Sequence, residues 1–329
     1  MNVPSSAKYA IIQEMVEREN NLLNISWLCR TAGVSRSGYY SYLQNEEKRV
    51  LRETRDRESF EKILAAYNYR GYSKGARGIY MRLLHMDPPE HMNLKKIRRL
   101  MKKYGLVCPI RKANPYRRMA RALKTDAVAD NLLQRRFEEL GPRKALLTDI
   151  TYIINGKAPR CYMSTIMDSC TKELLGWALS ETLEIDFVLE TVEMVIRDHA
   201  ISLSTETLVH SDQGFHYTSV QFRQLLKDLG FRQSMSRRAN CWDNAPQESF
   251  FGHMKDEIDI SHCSSFREIH EVISDWVDYY NNDRCQWDLA KLSPREYFRY
   301  LSSGNYPLRI PKPKGQHHSD SACENSNCP

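Results

Sequence analysis

Three acidic residues of this chain have the types and spacing for chemistry. They are Asp149 in Thr148-Asp149-Ile150-Thr151, Asp212 in His210-Ser211-Asp212-Gln213-Gly214, and Glu248 in Asn244-Ala245-Pro246-Gln247-Glu248-Ser249-Phe250-Phe251. Thirty-five residues separate the last two. Three carboxylates gathered at one point repel one another unless a cation sits between them. Oxygen-only clusters suit hard divalent ions such as Mg²⁺, and two such ions about 4 Å apart are a recurrent device of phosphodiester chemistry. Each acid alone has an ordinary alternative: Asp149 satisfying a backbone amide, Asp212 forming a turn, Glu248 lying exposed on a helix. Their joint placement is more telling, because two strand ends and a following helix can converge at one sheet edge. His210, Asn240, Asp243 and Asn244 add polar groups around the second and third acids. Lys255 follows Glu248 by seven residues, two helical turns, so it shares that face and could reach a phosphate; the plain alternative is a surface lysine.

The elements that must position these residues fall into two halves of opposite charge. The 329 residues carry a net charge of +7. Residues 1–144 hold 30 Lys and Arg against 15 Asp and Glu, and residues 145–329 hold 18 against 26. A basic first half is the electrostatic footprint of a polyanion-binding region. A hydrophobic content of 41% allows packed cores, and no apolar run of about 18 residues suggests a membrane span. Nine scattered cysteines with no Cys-x-x-Cys pair predict reduced thiols in the cytoplasm.

Helical periodicity covers residues 9–43, where a short helix, a glycine turn at Gly33 and Ser35 as N-cap of a second helix make a helix-turn-helix pattern. A second helical block spans 45–105. Its last helix is capped by Asn93 and closed by Gly105, with Leu94, Ile97, Met101 and Tyr104 expected on one face. Lys95, Lys96, Arg98, Arg99, Lys102 and Lys103 cover the rest without an intervening acid, as suits contact with phosphates. A proline-interrupted basic connector follows, with a short helix expected within 126–140. From residue 145 the pattern becomes βββαβαβα, which argues for an α/β layer fold with a mixed sheet of five strands. Residues 302–329 read as a disordered tail; His317, His318, Cys323 and Cys328 within it fit no usual zinc spacing.

Over about residues 25–300 the chain resembles the larger-frame transposase of bacterial IS3-type insertion sequences, whose core is similar to retroviral integrase. The likeness is carried by Thr148-Asp149-Ile150-Thr151-Tyr152, by His210-Ser211-Asp212-Gln213-Gly214, and by Asn240 through Phe251 with Lys255 and Glu257. Tyr279-Tyr280-Asn281-Asn282-Asp283-Arg284 and Leu292-Ser293-Pro294-Arg295-Glu296-Tyr297 match the closing motif. Two departures stand out: Cys285-Gln286-Trp287 follow Arg284 where the family has a His, and Trp242 replaces a common Tyr.

The resemblance implies an RNase H-like core, expected over 141–301. It would be preceded by helical regions over 1–45 and 46–110 and a linker over 111–140. It further implies a triad of Asp149, Asp212 and Glu248 holding two Mg²⁺ or Mn²⁺ ions, and DNA cleavage and strand transfer on terminal repeats and target DNA. It implies, too, a homodimer or higher oligomer, a possible upstream-frame partner, and a place on the bacterial nucleoid. Competing expectations are a non-catalytic DNA-binding regulator and a metal-dependent RNase H-like nuclease.

Overall fold

The computed structural model describes residues 3–18, 23–109, 131–134, 137–154, 160–200, 203–236 and 244–309. Most of the expected connector and its helix, Asn240 to Asp243, and the tail beyond 309 lie outside the described residues. The chain divides into two compact units, Met1–Ala65 and Ala66–Pro329.

In the first unit, α1 (Ser5–Val16), α2 (Ile25–Thr31) and α3 (Arg36–Gln44) enclose a small core of Ile12, Leu28, Cys29 and Tyr39. Each later helix starts on a side-chain cap: Asn24 accepts from the Trp27 amide, and Ser35 from the Gly38 amide. Gly33 turns the chain between them at φ +65°, a conformation that costs other residues more. The long α4 (Glu46–Asn68) then carries the chain into the second unit.

The second unit opens with α5 (Ala76–Leu84) and α6 (Leu94–Lys103). Asn93 caps α6 by accepting from the Lys96 amide, and Gly105 at φ +70° follows its end. The buried residues of α6 are Ile97 and Leu100, so its apolar stripe is shifted from the expected one. Leu94, Met101 and Tyr104 flank it half-buried, because the helix packs along the i, i+3 pair facing α5. Arg70 and Tyr72 fasten this region to α11 (Phe266–Asn282). The Arg70 guanidinium reaches Asp275, Asp278 and Asp283 at 3.0, 3.0 and 3.2 Å, and the Tyr72 hydroxyl donates to Asp275 at 2.6 Å.

The sheet runs β3-β2-β1-β4-β5. Strands β1 (Ala145–Ile153), β2 (Cys161–Asp168) and β3 (Leu174–Ser180) form an antiparallel meander, and β4 (Leu208–Ser211) and β5 (Arg232–Met235) add in parallel to β1. Both faces are covered, as a sheet with parallel central strands requires. One packs on α7 (Asp186–His199) and α9 (Val220–Asp228) through Leu146, Ile166, Val192, Val195 and Phe222. The other packs on α10 (Ala245–Glu257) and α11 through Ile153, Met163, Phe250, Met254 and Trp276. Two helices lie beyond those the periodicity predicts. The short α8 (Phe215–Thr218) follows the Asp212 turn, and α12 (Pro294–Ser303) starts on a Ser293–Glu296 capping box and ends at Gly304. Among the described residues no helix is long and apolar enough to cross a membrane.

Candidate active site

Parallel pairing matches Leu147 of β1 with His210 of β4. Asp149 stands two residues beyond Leu147, at the middle of β1, and Asp212 two residues beyond His210, directly after β4 ends, so both acids fall toward the carboxyl end of β4, on neighbouring strands about 4.8 Å apart. Asp149 shares the odd-numbered face of β1 with Thr151 and Ile153, and Ile153 packs in the cluster that includes α10. Glu248 lies in the first turn of α10, where the positive end of the helix favours a carboxylate.

Each aspartate has one oxygen held by backbone. Asp149 Oδ1 accepts from the Ile150 amide at 2.8 Å, and Asp212 Oδ1 from the Gly214 amide at 2.8 Å. A Cβ at Gly214 would stand 2.8 Å from Asp212 Oδ1, so a side chain there would push this carboxylate aside. Among the described residues neither aspartate has a salt bridge. The Asp149 carboxyl is pushed up to about 8, first by burial, then by the charges of Asp212 and Glu248, against the lowering effect of the Ile150 amide. Hard oxygen donors with uncompensated like charge are what a divalent cation neutralises, so the donor set fits Mg²⁺ or Mn²⁺. The three acids do not form a group whose ligand atoms all lie within 4.8 Å of one another, a spread broader than one ion's ligand shell.

Gln247 was not singled out by sequence, and it anchors Glu248. It is fully buried. Its Nε2 donates to the Leu147 carbonyl at 2.8 Å and its Oε1 accepts from the Thr165 hydroxyl at 3.2 Å. That hydroxyl also lies 3.2 Å from the Asp149 carbonyl oxygen, and Thr165 is the cross-strand neighbour of Asp149. Gln247 thus clamps α10 onto β1 and β2 beside two of the acids. The only sequence hint was its place before Glu248, which cannot show burial.

Lys255 is exposed as a residue, yet its ammonium donates to Thr151 Oγ1 at 2.7 Å and lies 4.8 Å from the centre of the Tyr152 ring. Burial of the amine lowers its pKa, and Asp149 acts in the opposite direction. His210 is fully buried, with Nδ1 2.9 Å from the Ser234 hydroxyl and Nε2 3.0 Å from that of Ser236. It is a cross-strand link between β4 and β5. Asn244 is buried, with neither side-chain atom hydrogen-bonded among the described residues. On α6, Lys95, Arg98, Arg99, Lys102 and Lys103 are exposed and Lys96 half-buried.

Residues 139–241 and 229–294 each match a family model described as an integrase core domain, and residues 54–114 match an HTH-like domain. The chain is 30% identical over 275 residues to InsK of insertion sequence element IS150 from Escherichia coli K12, across 82% of this chain and 92% of InsK. It is 27% identical over 286 residues to the InsF transposase of insertion sequence IS3A from the same organism, across 86% of this chain and 96% of InsF. Against the catalytic core domain of HTLV-2 integrase, solved in complex with magnesium, it is 10% identical, covering 48% of this chain and 97% of that one. The TM-score there is 0.38, too slight a likeness to carry weight.

Proposed function

Since the chain belongs to the IS3-type family of insertion-sequence transposases, with an integrase core and an HTH-like domain, we propose that Asp149, Asp212 and Glu248 hold the divalent metal on which its DNA cleavage and strand transfer depend. The observation that supports this reading is the charge of both Asp212 and Glu248 felt at the Asp149 carboxyl, with β1 and β4 paired in parallel just before the two aspartates. Mg²⁺, or Mn²⁺ in its place, bound there as a pair would supply the charge that activates an attacking oxygen and steadies a departing one.

The protein's own part is positioning. Asp149, whose carboxyl feels both other acids, takes the central place. Backbone amides turn one oxygen of each aspartate inward and leave the other for a ligand. Gln247 sets the height of Glu248 over the sheet, and Lys255 lies where a phosphate beside Asp149 would meet a cation. In cleavage a water oxygen bonds to phosphorus as the bond to the 3′ oxygen breaks, leaving a 3′-hydroxyl. In joining, that hydroxyl attacks a second phosphodiester, releasing a 3′ oxygen that takes up a proton. No covalent protein–DNA intermediate is needed. The basic face of α6 would hold duplex DNA by its phosphates, and pairing two element ends calls for at least two protomers.

Pre-cut element-end DNA, a target plasmid and Mg²⁺ test the proposal. Joined product is expected from the wild type and none from Asp149→Asn, which keeps its DNA affinity. Joining by Asp149→Asn at the wild-type rate would overturn the assignment.

A further inference from the structure

Three side chains of metal-binding kinds meet away from the acidic triad. His85 at the end of α5, Cys285 just after α11 and Glu296 in the first turn of α12 bring a nitrogen, a sulfur and a carboxylate oxygen within 4.8 Å of one another. His85 Nδ1 lies 2.8 Å from the Met81 carbonyl oxygen. A carbonyl only accepts, so Nδ1 carries the proton and Nε2 faces Glu296 Oε2 at 3.1 Å. Metal-bound imidazoles are commonly oriented in this way, with the second ring nitrogen donating to a backbone carbonyl. The carboxylate is oriented as well: its Oε2 accepts from the Ser293 amide at 2.9 Å and hydroxyl at 3.0 Å.

Cys285 Sγ lies 3.6 Å from both ring nitrogens. It therefore rests against the ring, as near to Nε2 as to Nδ1. In a tetrahedral zinc centre, bonds of about 2.0–2.3 Å place the ligand atoms roughly 3.3–3.6 Å apart, close to the separations found here. Cys285 also lines a cavity of about 240 Å³ with Lys74, Arg77, Glu257 and Arg284. His85 is far from the other two in sequence; Cys285 stands out there only as a departure from the family pattern and Glu296 only as part of the closing motif, and neither reading gave them a shared role.

We propose that His85, Cys285 and Glu296 bind a zinc ion that ties the HTH-like segment to the closing helices of the integrase core. The mixed nitrogen, sulfur and oxygen donors suit zinc and are foreign to magnesium. The site does not depend on the assignment of the acidic triad.

The test uses the purified full chain. One equivalent of zinc per chain is expected to survive gel filtration. Replacement by cobalt should bring a thiolate-to-metal charge-transfer band in the near ultraviolet. Cys285→Ser and His85→Gln should each lose the band and the zinc equivalent, and zinc should raise the melting temperature of the wild type alone. Two variants on different helices guard against one failing to fold, which far-ultraviolet circular dichroism reports. An oxygen-only centre gives no thiolate band, so Asp149→Asn should leave it intact whatever the triad does. A wild type without the band overturns the proposal and leaves a plain His85–Glu296 ion pair. A band that persists in Cys285→Ser overturns it too, placing the metal on other thiols.

Discussion

Two aspartates on paired strands of the same sheet have opposite surroundings. Asp168, at the end of β2, is fully buried. It accepts from the Arg143 and Cys170 amides at 3.2 and 3.3 Å and from the Thr171 hydroxyl at 2.7 Å, with the Arg143 guanidinium 3.6 Å away. Arg143 also reaches Glu173 at 2.6 Å. Asp149, on β1, is half-buried, accepts one backbone amide and meets two like charges. The protein itself completes the environment of Asp168. It leaves Asp149 with a single backbone donor and two neighbouring acids, the surroundings that the proposed metal site requires.

Replacing the central acid should break this contrast most sharply. Asp149→Asn is expected to lower strand joining by about 10³-fold or more, the scale of losing a group that steadies transition-state charge. It should also stabilise the metal-free protein. The folded carboxyl titrates near 8 against a usual value of 3.8, so folding takes up a proton between those values and stability falls as pH rises through that window. Asn removes the penalty, so its melting temperature should exceed the wild type's above neutral pH and match it more closely near pH 4. Mg²⁺ should raise the wild-type melting temperature more than the variant's. A wild type indifferent to Mg²⁺ in thermal scans would count against the pairing of acids and metal.

At the structural acid the sign reverses. Arg143→Met strands Asp168 and Glu173 without their buried cation and should cost about 3–5 kcal/mol in urea unfolding. Gln247→Leu tests the clamp between the two kinds of region. A lost orienting contact of this sort typically lowers activity about 10–100-fold; here the Mg²⁺ concentration for half-maximal joining should rise, a readout that mere destabilisation leaves unchanged. The smallest effects belong to α6. Lys95→Ala and Lys102→Ala should each reduce the slope of DNA affinity against salt by about 1 while leaving sequence preference alone; slopes unchanged in both would remove α6 from the DNA-contacting surface.

Much of the architecture was legible in the linear chain. The caps at Ser35 and Asn93 act over three residues, and the short apolar runs from Ala145 to Ser180 are local features of composition, so both could be read without knowing what packs against them. The stripe of α6 could not. Leu94, Ile97, Leu100, Met101 and Tyr104 are all apolar enough to be buried, and only the partner helix selects Ile97 and Leu100. The surroundings of His210 were hidden for the same reason. A histidine beside an aspartate suggests a site, and its two serine partners arrive from β5, 24 and 26 residues later. α12 escaped notice because its cap lies in a motif read for family likeness instead of helix signals.

The order of the strands, most of the helices and the basic character of the first half were thus legible in the amino-acid sequence alone, and the three acids stood out in it as candidates, since periodicity, capping and charge are properties of near neighbours. The alignment of Asp149 with Asp212, the clamp of Gln247 across 82 and 100 residues, and the meeting of His85 with Cys285 and Glu296 were decided only in three dimensions. Strand register and helix docking set these distances, and both are collective outcomes of packing that no local window contains.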